Sequence, residues 1–373
     1  MHTTEREAWD AYREEELRRI TPIIANLGYT LDVTQVHTGG ERFLMAGARD
    51  VGGGGLKLVL TGRDTKSGKR VVIKVSNSTQ GIAEIERERE CREVLHKLEF
   101  ASRAFRTPQE LVYTKEGPYV ISITSYIEQE RAFIEHSLDE QFFLALRAFE
   151  TQEGVHATTF SHAQTIKKTF GMVGVQEYLD TFESFRNRAV TNDPDNTMVR
   201  ETLERGSEFL QTNKTVIERY SGFLTHADFV PNNLRVSGRD LFLLDYASIH
   251  FGNKYESWAR FLNFMIHHNA QLEQTLAGYV RENRGEEEYL SLRLMRVYKI
   301  GYLLAFYTEA LHKTSGNLHE LTVRRIDLWT RAMDAILKDM PVPEEVVASY
   351  VAELDRLRSE DEKARQKEIL GGK

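Results

Sequence analysis

The sequence predicts an α+β fold in two lobes, a small β-rich N-lobe followed by a larger, mostly helical C-lobe. Three observations carry this expectation. The chain has 373 residues, more than one small core organises. Before residue 128, short β-rich runs punctuated by glycine surround a single helical pattern. Beyond it helical periodicity dominates, and the chief interruption lies between residues 223 and 245. By pattern the chain divides into an N-terminal helix over 1–28, the N-lobe over 29–128, the C-lobe over 129–340 and a charged C-terminal helix over 341–373.

The elements follow in order. Residues 1–19 are dense in Glu and Arg and lack an apolar core, so they read as an exposed helix and not as a secretory signal. Strands are expected over 29–36, 42–48, 56–61 and 70–76, with 64–69 a polar turn between the last two. A helix over 81–98 gathers Cys91, Val94, Leu95 and Leu98 on one face. The same spacing sets Glu84 and Glu88 beside that face and turns Glu86 and Glu90 away. A strand pair follows over 110–113 and 119–127. The C-lobe opens with a helix over 139–151 and carries short strands at 223–224, 234–236 and 241–244. Residues 302–307, aromatics among leucines, read as core, and the tail reads as a charged helix with a frayed end.

Composition excludes several classes. Lys and Arg number 49 against 56 acids, a net charge of −7, so no overall basic character recruits nucleic acid or an anionic membrane. Cys91 is the only cysteine, which excludes an internal disulfide framework and a cysteine zinc cluster. The longest apolar runs fall far short of the roughly 20 residues that span a bilayer. A cytoplasmic location is expected, and oligomeric state is not legible.

The richest stretch is His226-Ala227-Asp228-Phe229-Val230-Pro231-Asn232-Asn233, followed by Leu241-Phe242-Leu243-Leu244-Asp245. Phosphoryl transfer from a nucleotide needs one group to orient the attacking hydroxyl and others to hold magnesium against the phosphates. Asp228 suits the first task, Asn233 and Asp245 the second, because hard Mg²⁺ takes oxygen ligands and keeps part of its water shell. Val71-Val72-Ile73-Lys74 ends an apolar strand on a lysine, whose burial calls for a carboxylate, and Glu88 is the choice. Gly52, Gly53, Gly54 and Gly55 lie upstream, where backbone amides reach phosphate oxygens without an intervening Cβ. A flexible hairpin tip explains these four glycines equally well. Against G-x-G-x-x-G-x-V, Gly52, Gly54 and Val59 match, while Lys57 takes the third glycine position. His267-His268 reads as a satisfied or exposed pair rather than as metal ligands, and Glu286-Glu287-Glu288 as solvation of a helix start or loop.

The order of these elements resembles the aminoglycoside phosphotransferase family, relatives of protein kinases. The likeness runs from about Phe43 to Phe264. It includes Gly154-Val155-His156-Ala157 and the segment Gly252-Asn253-Lys254-Tyr255-Glu256-Ser257-Trp258-Ala259-Arg260-Phe261-Leu262. The resemblance implies a protein-kinase-like fold using ATP (or GTP) and Mg²⁺, with Lys74 on the α- and β-phosphates and held by Glu88. It further implies Asp228 as catalytic aspartate, Asn233 and Asp245 as metal ligands, His226 as a structural hydrogen-bonding residue, and adenine against the backbone near Ser125 to Ile127. Ala227 replaces the family's usual glycine, Asn232 stands where glycine is common, and Tyr246-Ala247 follows the metal aspartate in place of Phe-Gly. The implied acceptor is a small-molecule hydroxyl: an aminoglycoside, choline, a sugar or an amino-acid-like alcohol. An atypical protein kinase and a non-catalytic nucleotide-binding pseudokinase or scaffold are the rival readings.

Overall fold

The computed structural model describes residues 3–38, 40–45, 57–97, 106–154, 160–238 and 240–370. Two hydrophobic cores divide it into two lobes.

The N-lobe core lies against an antiparallel five-stranded sheet. Its strands are β1 (Tyr29–Leu31), β2 (Leu58–Asp64), β3 (Arg70–Ser76), β4 (Glu110–Glu116) and β5 (Tyr119–Ser125), in the order β1-β2-β3-β5-β4. Period-two alternation decides what each face does. Val71, Ile73 and Val75 are buried in the core, while Val72 and Lys74 point the other way, into the interlobe cleft. The β2–β3 turn is fixed by Asp64, whose Oδ1 accepts from the N–H groups of Lys66 and Ser67 at 2.8 and 2.7 Å, and by Gly68 at φ +69°.

Three N-lobe expectations are corrected. The first helix, α1 (Thr3–Asn26), is not exposed: Trp9, Ile20 and Ile24 are buried, and Trp9 stacks on Phe43 at 4.2 Å between ring centroids. Its Glu and Arg residues cover the outer face, while Tyr12, Leu17 and Ile23 pack with those three on the inner one. Residues 42–45 do not form the expected strand, since Gly40–Met45 is a short helix, α2, that places Phe43 against Trp9; 46–48 of that expectation lie outside the described residues. The expected strand over 29–36 stops at Leu31 and gives way to a single 3₁₀ turn, Val36–Thr38. The remaining expected strands hold to within a few residues. Helix α3 (Thr79–Lys97) packs on β3 and β5, with Ile85, Glu88 and Cys91 buried.

The C-lobe is assembled around α11 (Glu286–Leu311), which lies against α6 (Val175–Asn192), α7 (Thr197–Thr212), α8 (Lys214–Arg219), α9 (Glu256–Met265), α10 (Ala270–Arg284) and α12 (Gly316–Leu337), while α5 (Phe160–Phe170) packs on α3. The expected helix at its start is α4 (Leu138–Glu153), capped by Ser137, whose hydroxyl oxygen accepts from the Glu140 N–H. Phe149 of α4 stacks on Trp258 of α9 at 3.9 Å and meets Phe229 at 5.3 Å, so the loop after His226 rests on an aromatic floor. Two small β pairs carry the motif: β6 (Phe223–His226) with β9 (Ile249–Gly252), and β7 (Leu234–Ser237) with β8 (Asp240–Leu243). Leu303, Leu304 and Ala305 are core as expected, but Tyr302 is 47% exposed, because one turn of α11 cannot hide every side chain.

The tail is also corrected. It forms two helices, α13 (Glu344–Leu357) and α14 (Glu360–Leu370), with Tyr350, Leu354 and Leu357 buried on α12. Helix α14 touches Val36–Thr38 and α2 of the N-lobe and the turns Phe133–Glu135 and Pro231–Asn233 of the C-lobe. Glu368 holds it there, 3.6 Å from Arg70 as an ion pair and 3.7 Å from His37 Nε2, so polar contacts rather than an apolar stripe anchor this charged segment. No helix among the described residues is long and apolar enough to cross a membrane.

Candidate active site

A cavity of about 320 Å³ lies between the lobes, lined by Lys57, Lys74, Glu88, Ser125, Ile127, Asp228, Asn233 and Asp245 among others. The candidate catalytic, nucleotide-binding and metal residues within the described part of the chain, Lys74, Glu88, Ser125, Ile127, Asp228, Asn233 and Asp245, therefore reach one cleft. Gly52, Gly53, Gly54 and Gly55 lie outside the described residues, as do Val155, His156 and Ala157.

Lys74 donates to Glu88, with Nζ 2.6 Å from Oε1. The pair exists because α3 is fixed at both ends of its reach. Ile85 is buried and Cys91 joins the C-lobe core, while Arg87 donates across the cleft to the carbonyls of Ala247, Phe170 and Ile249 at 3.0–3.4 Å. The lysine thus stands with its partner already in place.

The loop after β6 is ordered by His226, which is 1% exposed. Its Nδ1 accepts from the Asp228 N–H at 3.2 Å, so its Nε2–H is the donor to the carbonyls of Leu244 and Asp245, both 3.1 Å away. Burial holds this imidazole below its ordinary pKa, which favours that neutral tautomer. The histidine is a strut between the Asp228 loop and the Asp245 turn, as the resemblance implied. Ser257 of α9 supports it, its hydroxyl oxygen accepting from the His226 N–H at 2.8 Å.

Arg260 of α9 donates to Asp228 Oδ1 through two nitrogens, each at 2.8 Å. Asn233 Nδ2 donates to the Asp228 carbonyl at 2.8 Å and to its Oδ2 at 3.3 Å. The Asp228 side chain nonetheless stays 48% exposed to the cleft. Its carboxylate is aimed, ionically supported and reachable.

Asp245 adopts φ 57°, ψ 57°, a left-handed conformation that aspartate tolerates better than most residues and that is expensive enough to mark a site. Its Oδ2 accepts from the Ser248 hydroxyl at 3.1 Å. Burial pushes its pKa up, but Lys74 and Lys57, with the Ser248 hydrogen bond, outweigh that and hold the carboxyl below its ordinary range. Asn233 spends its Nδ2 on Asp228, leaving Oδ1 as an oxygen acceptor, and Asn232 Oδ1 beside it is buried without a hydrogen-bond partner. One carboxylate and one carboxamide oxygen on one wall fit a hard divalent cation completed by phosphate and water.

No family model matches the chain, and no curated protein matches it. Solved structures do. Two crystal structures of thermostable mutants of aminoglycoside phosphotransferase APH(4)-Ia, each in ternary complex with AMP-PNP and hygromycin B, match at a TM-score of 0.50 and 16% identity, over 80% of this chain and 97% of theirs. The fold is the aminoglycoside phosphotransferase fold. An aminoglycoside phosphotransferase fold explains why separate lobes present Lys74 and Asp228 to one cavity, and it accords with the α+β, two-lobed class expected from sequence.

Sequence reasoning did not single out Lys57, Arg260 or Ser257 as site residues. Ser257 and Arg260 stand three apart on α9 and so share a face, a signal present in the segment already matched to the family. Lys57 appeared only as a mismatch in the glycine pattern. In the structure its Nζ lies 3.2 Å from Glu84 and 4.0 Å from Asp245. Burial lowers its pKa, yet Asp245, Glu88 and Glu84 raise it further, and the ammonium ends above its ordinary value. The paired histidines sit elsewhere: His268 stacks on Phe264, and His267 meets Trp329 and Tyr350.

Proposed function

We propose that the protein moves the γ-phosphate of ATP (or GTP) onto a hydroxyl of a small molecule. The observation that carries this is the convergence of the Lys74–Glu88 pair, Asn233, Asp245 and an exposed, doubly supported Asp228 on a single cavity. The fold shared with aminoglycoside phosphotransferases, two of them solved with AMP-PNP and hygromycin B, supports it.

In this reading the adenine meets the backbone of Ser125 to Ile127, the segment that leads from β5 toward the C-lobe and lines the cavity. Lys74 reaches the α- and β-phosphates, and Glu88 keeps its ammonium from collapsing onto Asp245. Asn233 and Asp245 would hold Mg²⁺, which neutralises charge on the phosphates when bound. Asp228 orients the acceptor hydroxyl and takes its proton late, since a carboxylate is too weak a base to ionise a free alcohol. Arg260 on Oδ1 fixes the direction in which Asp228 presents Oδ2, whose own contact, from Asn233, is the longer one at 3.3 Å. The acceptor belongs with the hydroxyl compounds named above, with an aminoglycoside, choline, a sugar or an amino-acid-like alcohol as the candidates.

Calorimetric titration of a non-hydrolysable ATP analogue tests the nucleotide half of this reading. Mg²⁺-dependent binding is expected in the wild type and its loss in Asp245→Ala; an identical titration in both proteins counts against the metal role of Asp245.

A further inference from the structure

Lys57 has no role in the reading above, yet its side chain is only 16% exposed and lies on the wall of the nucleotide cavity, just before β2. Two residues on, Val59 pairs in register with Lys74, so the two lysines enter the cleft from adjacent strands. They face a matched pair of acids one helical turn apart on α3. Lys74 takes Glu88, which is buried, and Lys57 takes Glu84, whose side chain is 42% exposed.

That asymmetry decides what each lysine can do. The Lys74–Glu88 pair is enclosed and serves as a fixed strut. Glu84 returns to water at little cost, because an exposed ion pair is worth little, so Lys57 is free to change partner. An ammonium has three donors, and Asp245 at 4.0 Å lies beyond hydrogen-bond range. Donors on Lys57 therefore remain for an incoming anion beside Asp245. Lys57 also stands where the phosphate-cradling pattern has its third glycine, so the side chain adds a point charge at that position.

We propose that Lys57 is a second phosphate-binding lysine, which leaves Glu84 for the nucleotide's phosphate oxygens beside Asp245. The inference rests on the reading of the cleft as a nucleotide site and adds a residue to it. No bond is made or broken in the exchange; one ion pair replaces another.

Calorimetric titration with a non-hydrolysable ATP analogue and with AMP, both in Mg²⁺, tests it on wild type, Lys57→Met, Lys57→Arg and Glu84→Gln, each first checked for an unchanged melting temperature. Lys57→Met is expected to weaken the triphosphate about 10–100-fold, the range of a lost charged hydrogen bond, and AMP less than about threefold. Lys57→Arg recovers most of that loss. Glu84→Gln binds the triphosphate as well as wild type or better, because a competing partner is gone; a merely structural Lys57–Glu84 pair would make it as damaging as Lys57→Met. Wild-type binding with Lys57→Met within about twofold overturns the role of Lys57 alone. A wild type that binds neither nucleotide overturns the cleft reading and this inference with it.

Discussion

Glu256, at the start of α9, is 2% exposed and is held by Tyr178 Oη at 2.5 Å, by His250 Nε2 at 2.9 Å and by Lys299. This cluster anchors the helix whose Ser257 and Arg260 position His226 and Asp228. Glu256→Gln keeps the shape and removes the charge, leaving the Lys299 ammonium, itself 7% exposed, without its counterion. Breaking one side of a buried ion pair costs about 3–5 kcal/mol. In a lobe of about 200 residues, 1 kcal/mol moves the melting temperature by roughly 2–4 °C, so a fall of about 6–20 °C is expected by differential scanning calorimetry. A double change, Glu256→Gln with Lys299→Met, removes the orphaned charge and should recover part of the loss. A shift under about 2 °C for Glu256→Gln, or no recovery in the double variant, refutes the reasoning. The carboxyl's pKa makes a second, signed test. Burial raises it, but His250 and Lys299 bring it below the ordinary glutamate value, so this stabilisation is full above that value and is lost as pH falls toward the folded one.

Arg260→Ala should lower kcat about 5–30-fold with little change in nucleotide affinity, since two charged hydrogen bonds to a half-exposed Asp228 are worth about 1–2 kcal/mol after screening; steady-state ADP release reads it, and Arg260→Lys, lacking the two-pronged fork, should restore little. Glu88→Gln should weaken nucleotide binding by about tenfold in a fluorescence titration, because Lys74 loses the partner that holds it in the cleft. His268 is pushed down to about 4, by burial first and then by Arg358, so the unfolded chain takes up its proton first on acidification. Stability should therefore fall by about 1–3 kcal/mol between pH 6.5 and 4 on this account, and urea melts of His268→Asn should show a shallower slope over that window.

The motif-bearing parts of the fold were legible because each carries a local signature. Alternation in Val71-Val72-Ile73-Lys74 fixes which face Lys74 takes, and helical spacing sets Glu84 and Glu88, not Glu86 or Glu90, toward the cleft. Segments 42–45 and 341–370 differ from expectation because their structure comes from distant partners. Phe43 is buried in a core where Trp9 stacks on it, and α14 is held by His37 and Arg70, more than 290 residues away in sequence. Arg260 hid for a related reason: an arginine on an amphipathic helix looks like surface until the Asp228 loop is known to pass beside it. Lys57 hid inside a motif that expected glycine, where a departure reads as loss of function before the geometry shows what stands in its place.

The most direct test of the phosphotransferase reading is ADP release with ATP and Mg²⁺ across a library of hydroxyl compounds, run on wild type and Asp228→Ala, with nucleotide affinity measured alongside. Acceptor-dependent release is expected from the wild type and a fall of about 10²–10⁴-fold in Asp228→Ala at nearly unchanged affinity. A wild type that binds nucleotide yet releases no ADP with any hydroxyl compound, or an Asp228→Ala protein that turns over as fast, would contradict it.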